Sequence, residues 1–287
     1  MRITIIGVGL LGGSFGMAVR KAGVAERVAG VDLDRTVLDR AQERGAIDAG
    51  YLETAEGVEG ADLVVLAMPV RSILDMLPGL ATLLGPETIL LDLGSTKEAI
   101  VSAVAGQAGI RRYVGGHPMA GTEHTGIEHA DDGLFQDATF ALVPPPGVDE
   151  GALDLLKDLV RRIGARPAVI PADRHDRIVS VTSHLPYLLS AVLALAAEKT
   201  AREEERLGEF AASGFRDTTR LAASTVRVMA DICLTNGRPL LRGIEEARRL
   251  LDDLAAQIEE GRESELVKTL TKAKESRAAL LRERRTD

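Results

Sequence analysis

Tryptophan is missing from this chain, aromatic residues make up only 3% of it, and a single cysteine occurs, Cys233. With one thiol there can be no intrachain disulfide and no cysteine-cluster metal site, and no metal is expected. Cys233 reads as a small buried hydrophobe in a reducing compartment, in keeping with a cytoplasmic location. With so few rings the core has to be aliphatic; hydrophobic residues at 45% and charged residues at 27% are an ordinary globular balance. A basic excess is also lacking. Lys and Arg number 35 against 43 Asp and Glu, a net charge of −8, so no cationic face is expected to displace counterions from nucleic acid. No uninterrupted 18-residue apolar run stands out, so no membrane-crossing segment is expected. The apolar N-terminus is broken by Gly7, Gly9, Gly12, Gly13 and Gly16, which suits a turn better than the apolar stretch of a signal peptide. Internal repeats and low-complexity tracts are not seen. At 287 residues the chain is long for one core, and two domains are expected.

Up to about residue 170, short aliphatic runs alternate with amphipathic stretches. Runs at 3–6, 28–31, 63–67, 89–93 and 140–143 read as buried parallel strands, with 165–170 as a last one. Stretches at 36–44, 73–84 and 149–163 read as helices between them, the βα alternation of a doubly wound sheet. After Pro171 the strand-like runs stop. Leu188, Ala191, Val192 and Leu195 recur at helical spacing, as do Leu250, Leu251, Leu254 and Ile258, then Leu266, Val267, Leu270 and Ala273. The expected domains are therefore 1–171, α/β, and 172–287, all-helical. The apolar content of the second is high for one thin helical layer and suggests burial against a second copy; a self-contained bundle is the alternative.

Gly7-Val8-Gly9-Leu10-Leu11-Gly12 matches GxGxxG, with a strand-like run before it and a helical stretch after it. Gly7 permits the tight turn, Gly9 leaves room for a pyrophosphate, and Gly12 lets helix and strand pack closely. The helix start then offers free N–H groups and a positive dipole end to the phosphates. Asp32, at the end of the second strand, suits the adenosine ribose hydroxyls and repels a 2′-phosphate, which favours NAD; Arg35 nearby softens that preference. The plain alternative is a glycine-rich turn with a solvated aspartate. Met68-Pro69-Val70, after the strand at 63–67, should pass beside the cofactor mainly through backbone. The expected fold is a Rossmann-type α/β sheet followed by an all-α C-terminal dimerisation domain.

A dinucleotide site leaves the reaction open. Among five histidines, His117 sits in Gly115-Gly116-His117-Pro118-Met119-Ala120-Gly121, after the strand-like Tyr113-Val114, with small residues that leave room for a ligand. Hydride transfer from an alcohol carbon needs a base for the hydroxyl proton, and histidine titrates in the right range; a structural loop histidine is the alternative. In Asp92-Leu93-Gly94-Ser95-Thr96-Lys97-Glu98, Ser95 and Glu98 have capping-box spacing, which leaves Ser95 free also to touch nicotinamide or substrate. Ser183-His184-Leu185-Pro186-Tyr187 interrupts an otherwise apolar helix, where His and Pro are costly unless used. Arg216 and Arg220 lie four apart, on one helical face, and could grip a dianion; a salt-bridged surface is the alternative.

Together these motifs, spread from Gly7 to Arg220, resemble the prephenate/arogenate dehydrogenase family of tyrosine biosynthesis. His-Pro-Met-Ala-Gly at 117–121 and Gly-Phe-Arg-Asp-Thr-Thr-Arg at 214–220 carry the resemblance most specifically. It implies a homodimer with an active site between its domains, and oxidative decarboxylation of prephenate or arogenate with NAD. By that resemblance His117 takes the proton of the ring C4 hydroxyl, and Ser95 orients the hydroxyl and the nicotinamide. Arg220 binds a carboxylate, Arg216 shapes the field, His184 lines the pocket, and Thr122 and Glu123 join a polar network near Arg220. Some members carry a second histidine where this chain has Tyr187, which bears on the choice between the keto acid and the amino acid. Helices are expected to run to the end, without a separate regulatory domain. The competing readings are a β-hydroxyacid dehydrogenase, which would use a lysine in the helical half, and a non-catalytic NAD-sensing module.

Overall fold

A computed structural model describes residues 1–121 and 124–282. Eight strands form one sheet: β1 (Arg2–Ile6), β2 (Arg27–Val31), β3 (Ala49–Tyr51), β4 (Leu63–Leu66), β5 (Ile89–Asp92), β6 (Arg112–Pro118), β7 (Thr139–Val143) and β8 (Arg166–Val169). Their order is β3-β2-β1-β4-β5-β6-β7-β8, and every neighbouring pair is parallel except β6 and β7. Helices α1 (Leu10–Lys21), α2 (Arg35–Glu43), α3 (Thr54–Val58), α4 (Val70–Leu80), α5 (Glu98–Ala105) and α6 (Glu150–Arg162) connect them. Seven more follow: α7 (Ala172–Val179), α8 (Leu185–Ala201), α9 (Leu207–Phe210), α10 (Ser213–Thr219), α11 (Val226–Thr235), α12 (Gly237–Glu259) and α13 (Glu263–Arg282). The expected fold class, an α/β sheet followed by helices alone, is thus observed.

The aliphatic strand runs follow from burial on both faces. Ile3, Ile5, Leu63, Val65, Ile89 and Leu91 face one cluster with Phe15 and Val19 of α1, Leu38 of α2 and Leu156 of α6. Ile6, Val64, Leu66 and Leu90 face the other with Ile73 and Leu77 of α4 and Ile100 of α5. Three phenylalanines, Phe15, Phe135 and Phe140, join the first cluster, where Phe15 meets Phe135 edge-on at 6.3 Å.

Three local expectations are corrected. His117 does not follow the strand but lies within β6, whose register with β7 continues to Pro118 opposite Phe140. The short β3 has no aliphatic run to announce it, because two of its three residues are Ala and Gly. Residues Ala172–Ala201 form one continuous helix whose most apolar window reaches a mean hydropathy of 1.7, long and apolar enough by length and composition to cross a membrane. The reason is a π turn at Ser180–His184. It carries the helix through Leu185 and Pro186, where Pro186 has no N–H to give and stands in the first turn of α8.

By internal contacts the chain groups into two compact units, 1–240 and 241–287. The unit that holds the sheet therefore runs on past residue 171 through α7 to α11, and the second contains the rest of α12 with α13.

A Cβ at Gly12 would stand 2.0 Å from the Gly7 carbonyl oxygen, which no side-chain adjustment relieves. We expect Gly12→Ala to cost about 2 kcal/mol or more of folding free energy, read as a lowered urea midpoint; an unchanged midpoint would contradict the close helix–strand contact.

Candidate active site

The nucleotide end is built by the turn from β1 into α1. Gly7 holds φ +90°, and a Cβ on it would lie 2.6 Å from the Ala67 carbonyl oxygen, so only glycine fits. Gly9 faces open space, with nothing within 4 Å of a Cβ placed there. It is also the N-cap of α1 and supplies no side-chain cap, so the first N–H groups of that helix keep their capacity for an anion. Asp32, half-buried just after β2, accepts from the Val8 amide at 3.0 Å, which braces the turn against the strand end. Arg35 donates to the Gly50 carbonyl at 3.2 Å.

A cavity of about 390 Å³ opens beside this turn. Gly9, Leu10, Leu11, Met68, Pro69, Val70 and Ser95 line it from the sheet side, and Val228, Met229 and Asp231 of α11 line it from the helical side. An uncapped helix N-terminus, a glycine with open space and a carboxylate at the second strand end fit a dinucleotide. Of the residues expected at the cofactor, Gly7, Val8, Gly12 and Asp32 support the turn without lining that cavity.

The chemical end is a buried polar network at the ends of β5 and β6. His117 and His175 share a hydrogen bond of 2.8 Å between Nδ1 and Nε2. His175 Nδ1 lies 2.7 Å from Asp176 Oδ1. Asp176 also accepts from the backbone N–H groups of Lys97 at 2.8 Å and Glu98 at 2.9 Å. Its oxygens thus act as acceptors throughout, so His175 donates from Nδ1 and presents a bare Nε2. With both rings neutral, His117 then donates from Nδ1, which leaves its Nε2 bare and without a partner among the described residues. Burial, then the neighbouring His175, Lys97 and His184, hold His117 well below the usual imidazole range.

The same contacts replace the expected capping box. The N-cap of α5 is Lys97 rather than Ser95, and no side chain of its own loop caps it; the carboxylate of Asp176, arriving from α7, takes the free N–H groups instead. Ser95 is left half-buried on the cavity wall. The glycines before His117 serve the network rather than a ligand: Cβ atoms on Gly115 and Gly116 would press on the Tyr113 hydroxyl at 3.0 Å and the Asp92 carbonyl at 2.6 Å.

The residues expected at the substrate are scattered relative to that cavity. His184 is buried in the π turn, where Asn236 Nδ2 donates to its Nδ1 at 3.0 Å; this leaves Nε2 as its N–H donor. Tyr187 is half-buried in the first turn of α8. Arg216 lies on α10, whereas Arg220 begins a separate 3₁₀ turn, Arg220–Ala223, so the two do not share one α-helical face. Both are exposed, and neither makes a hydrogen bond or ion pair among the described residues. The 3₁₀ turn is held against α8 by the Ala222 amide donating to Ser190 Oγ at 2.9 Å. Thr122 and Glu123 lie outside the described residues.

Sequence reasoning missed His175, Asp176, Asn236 and Asp231 and gave no role to Lys97. His175 and Asp176 sit in Asp173-Arg174-His175-Asp176-Arg177, a run that reads as a solvated helix face. Only the docking of α7 on α5 turns two of its members inward.

Sheet order, glycine turn and cavity define a dinucleotide-binding protein of the Rossmann type. The family model "Prephenate dehydrogenase, nucleotide-binding domain" matches residues 15–169, and "Prephenate dehydrogenase, dimerization domain" matches 171–272. The chain belongs to the prephenate dehydrogenase family. It is 34% identical over 281 residues to the prephenate dehydrogenase of Bacillus subtilis, covering 97% of this chain and 76% of that one. It is similar, at TM-score 0.92 and 31% identity over 98% of both chains, to the A. aeolicus prephenate dehydrogenase solved with hydroxyphenyl propionate and NAD⁺. The arogenate dehydrogenase of Synechocystis matches at TM-score 0.84 and 29% identity, covering 98% of this chain and all of that one.

Burial pushes His184 down to about 4 from an ordinary 6.5, against the opposing pull of Asp176. Between those values the unfolded chain takes up the proton and the folded protein does not, so stability from this group is full above pH 6.5 and is lost as pH falls towards 4. We expect His184→Gln to flatten the acid side of the urea midpoint against pH; a variant as acid-sensitive as the parent would exclude His184 as its source.

Proposed function

We propose that this protein is an NAD-dependent prephenate dehydrogenase that oxidises and decarboxylates its substrate to 4-hydroxyphenylpyruvate. The observation that carries this reading is the Asp176–His175–His117 chain of hydrogen bonds, which supports a bare Nε2 on a neutral His117. Bound NAD supplies the acceptor for the hydrogen that leaves the ring carbon with its electron pair. His117 receives the proton of the C4 hydroxyl at Nε2, and its depressed pKa keeps it ready to do so at neutral pH. Ser95, on the cavity wall, orients that hydroxyl and the nicotinamide. Loss of carbon dioxide then makes the ring aromatic, which drives the step forward.

Arg220 takes a substrate carboxylate and Arg216 reinforces the positive field, roles supported by two guanidinium groups that hold no anion among the described residues. His184 offers its Nε2–H near the same end, Tyr187 contacts the side chain that separates prephenate from arogenate, and Thr122 and Glu123 belong with Arg220. Gly7 to Gly12 with Asp32 hold the dinucleotide, and Met68 to Val70 flank it. The chain divides functionally at 171 into nucleotide-binding and substrate-binding parts. It acts as a cytoplasmic homodimer, a reading supported by the matched dimerisation domain and by exposed Val192, Leu195, Leu250 and Leu251 within it.

Purified protein should reduce NAD, followed at 340 nm, when given prephenate; turnover of arogenate alone would move the assignment to arogenate dehydrogenase, and no turnover of either would refute both. His117→Asn should lose about two orders of magnitude or more in kcat while still binding NAD. Arg220→Ala should mainly raise KM, and an unchanged KM would remove it from the substrate site.

A further inference from the structure

We propose that Lys97 is a positioning residue for the base: its buried ammonium ties the loop carrying Ser95 to the strand carrying His117. The proposal rests on the dehydrogenase reading only for the role of His117. Lys97 and Asp92 are both fully buried and paired with each other. Lys97 Nζ donates to Asp92 Oδ1 and, at 2.8 Å, to the Gly116 carbonyl. Asp92 in turn accepts from the Gly94 amide at 2.8 Å and from the Tyr113 hydroxyl at 2.8 Å.

The sheet register explains why a long cation is needed there. β5 pairs with β6 only as far as Asp92 opposite Gly115. The next carbonyl of β6, Gly116, lies past the end of β5, one residue before His117. Lys97 reaches back from two residues past Ser95 to supply that bond. Gly115 and Gly116 keep the passage clear, since a Cβ on Gly115 would stand 3.2 Å from the Lys97 side chain. A buried ion pair adds little net stability, so the gain lies in where it holds Ser95 and His117.

The ammonium also acts on His117 through its charge. Among the described residues the ionisable groups in the network around that imidazole are His175 and Asp176 on α7, His184 in the π turn, Tyr113 on β6, Asp92 on β5 and Lys97 itself. Lys97 is the cation of this set and disfavours a second positive charge on His117. Asp92 is engaged with Lys97, Gly94 and Tyr113 rather than with the imidazole, so loss of the lysine charge outweighs loss of the aspartate charge, and removing the pair lets His117 protonate at higher pH.

The double variant Lys97→Met with Asp92→Asn removes both charges and leaves no lone buried ion, which spares the fold; a cooperative urea transition checks this. Without substrate, the His117 ring titration followed by NMR should move up by about one pH unit. With substrate, the acid limb of kcat/KM should move by the same amount and kcat should fall at least about tenfold, with NAD affinity nearly unchanged. A His117 titration that stays where it is in the folded double variant would overturn the proposal. If the parent enzyme oxidises neither substrate, the dehydrogenase reading fails while the titration still decides the part played by Lys97.

Discussion

The carboxylate of Asp176 sits where the structure depends on it most. It accepts two amides at the start of α5 and one imidazole N–H from its own neighbour, and in doing so joins α7, the first helix after the last strand, to α5. Two consequences follow from that one group. An α-helix whose own loop offers no cap gains one from another element. A neighbouring histidine is held in one tautomer, and that choice passes through a single further hydrogen bond to His117.

Asp231 repeats the device one strand away. It lies on α11, is buried, and accepts from the Arg71 amide at 3.1 Å in the first turn of α4, whose own N-cap, Pro69, has no side-chain acceptor to offer. Thr96 and Thr235 add a hydroxyl–hydroxyl bond of 2.9 Å between the Ser95 loop and α11. Two helices that start on this side of the sheet, α4 and α5, are thus completed by residues from beyond 171. This explains why the compact unit holding the sheet continues to residue 240: the break in secondary-structure pattern at Pro171 is a change of architecture and not a loss of contact.

What could be read from the sequence was what depends on local pattern. Continuous aliphatic runs announced five strands because both faces of the sheet are buried, and the glycine spacing announced the turn because Gly7 and Gly12 have no room for a Cβ. What could not be read depends on partners far along the chain. His175 and Asp176 look like one more charged helical turn until α7 docks on α5. Ser95 and Glu98 had capping-box spacing, but a carboxylate 79 residues on from Lys97 serves that helix. His117 was picked out by its small neighbours, although those glycines make space for Asp92, Lys97 and Tyr113. His184 and Pro186 read as costly members of an apolar helix, and the π turn at Ser180–His184 seats the histidine and puts the proline in the first turn of α8.

The central claim is that Asp176, through His175, sets His117 as a neutral imidazole with its proton on Nδ1. The ¹⁵N chemical shifts of the two rings in uniformly labelled protein near pH 7 test it directly. The account predicts protonated Nδ1 and bare Nε2 on both His117 and His175; an imidazolium at His117, or its proton on Nε2, would contradict it.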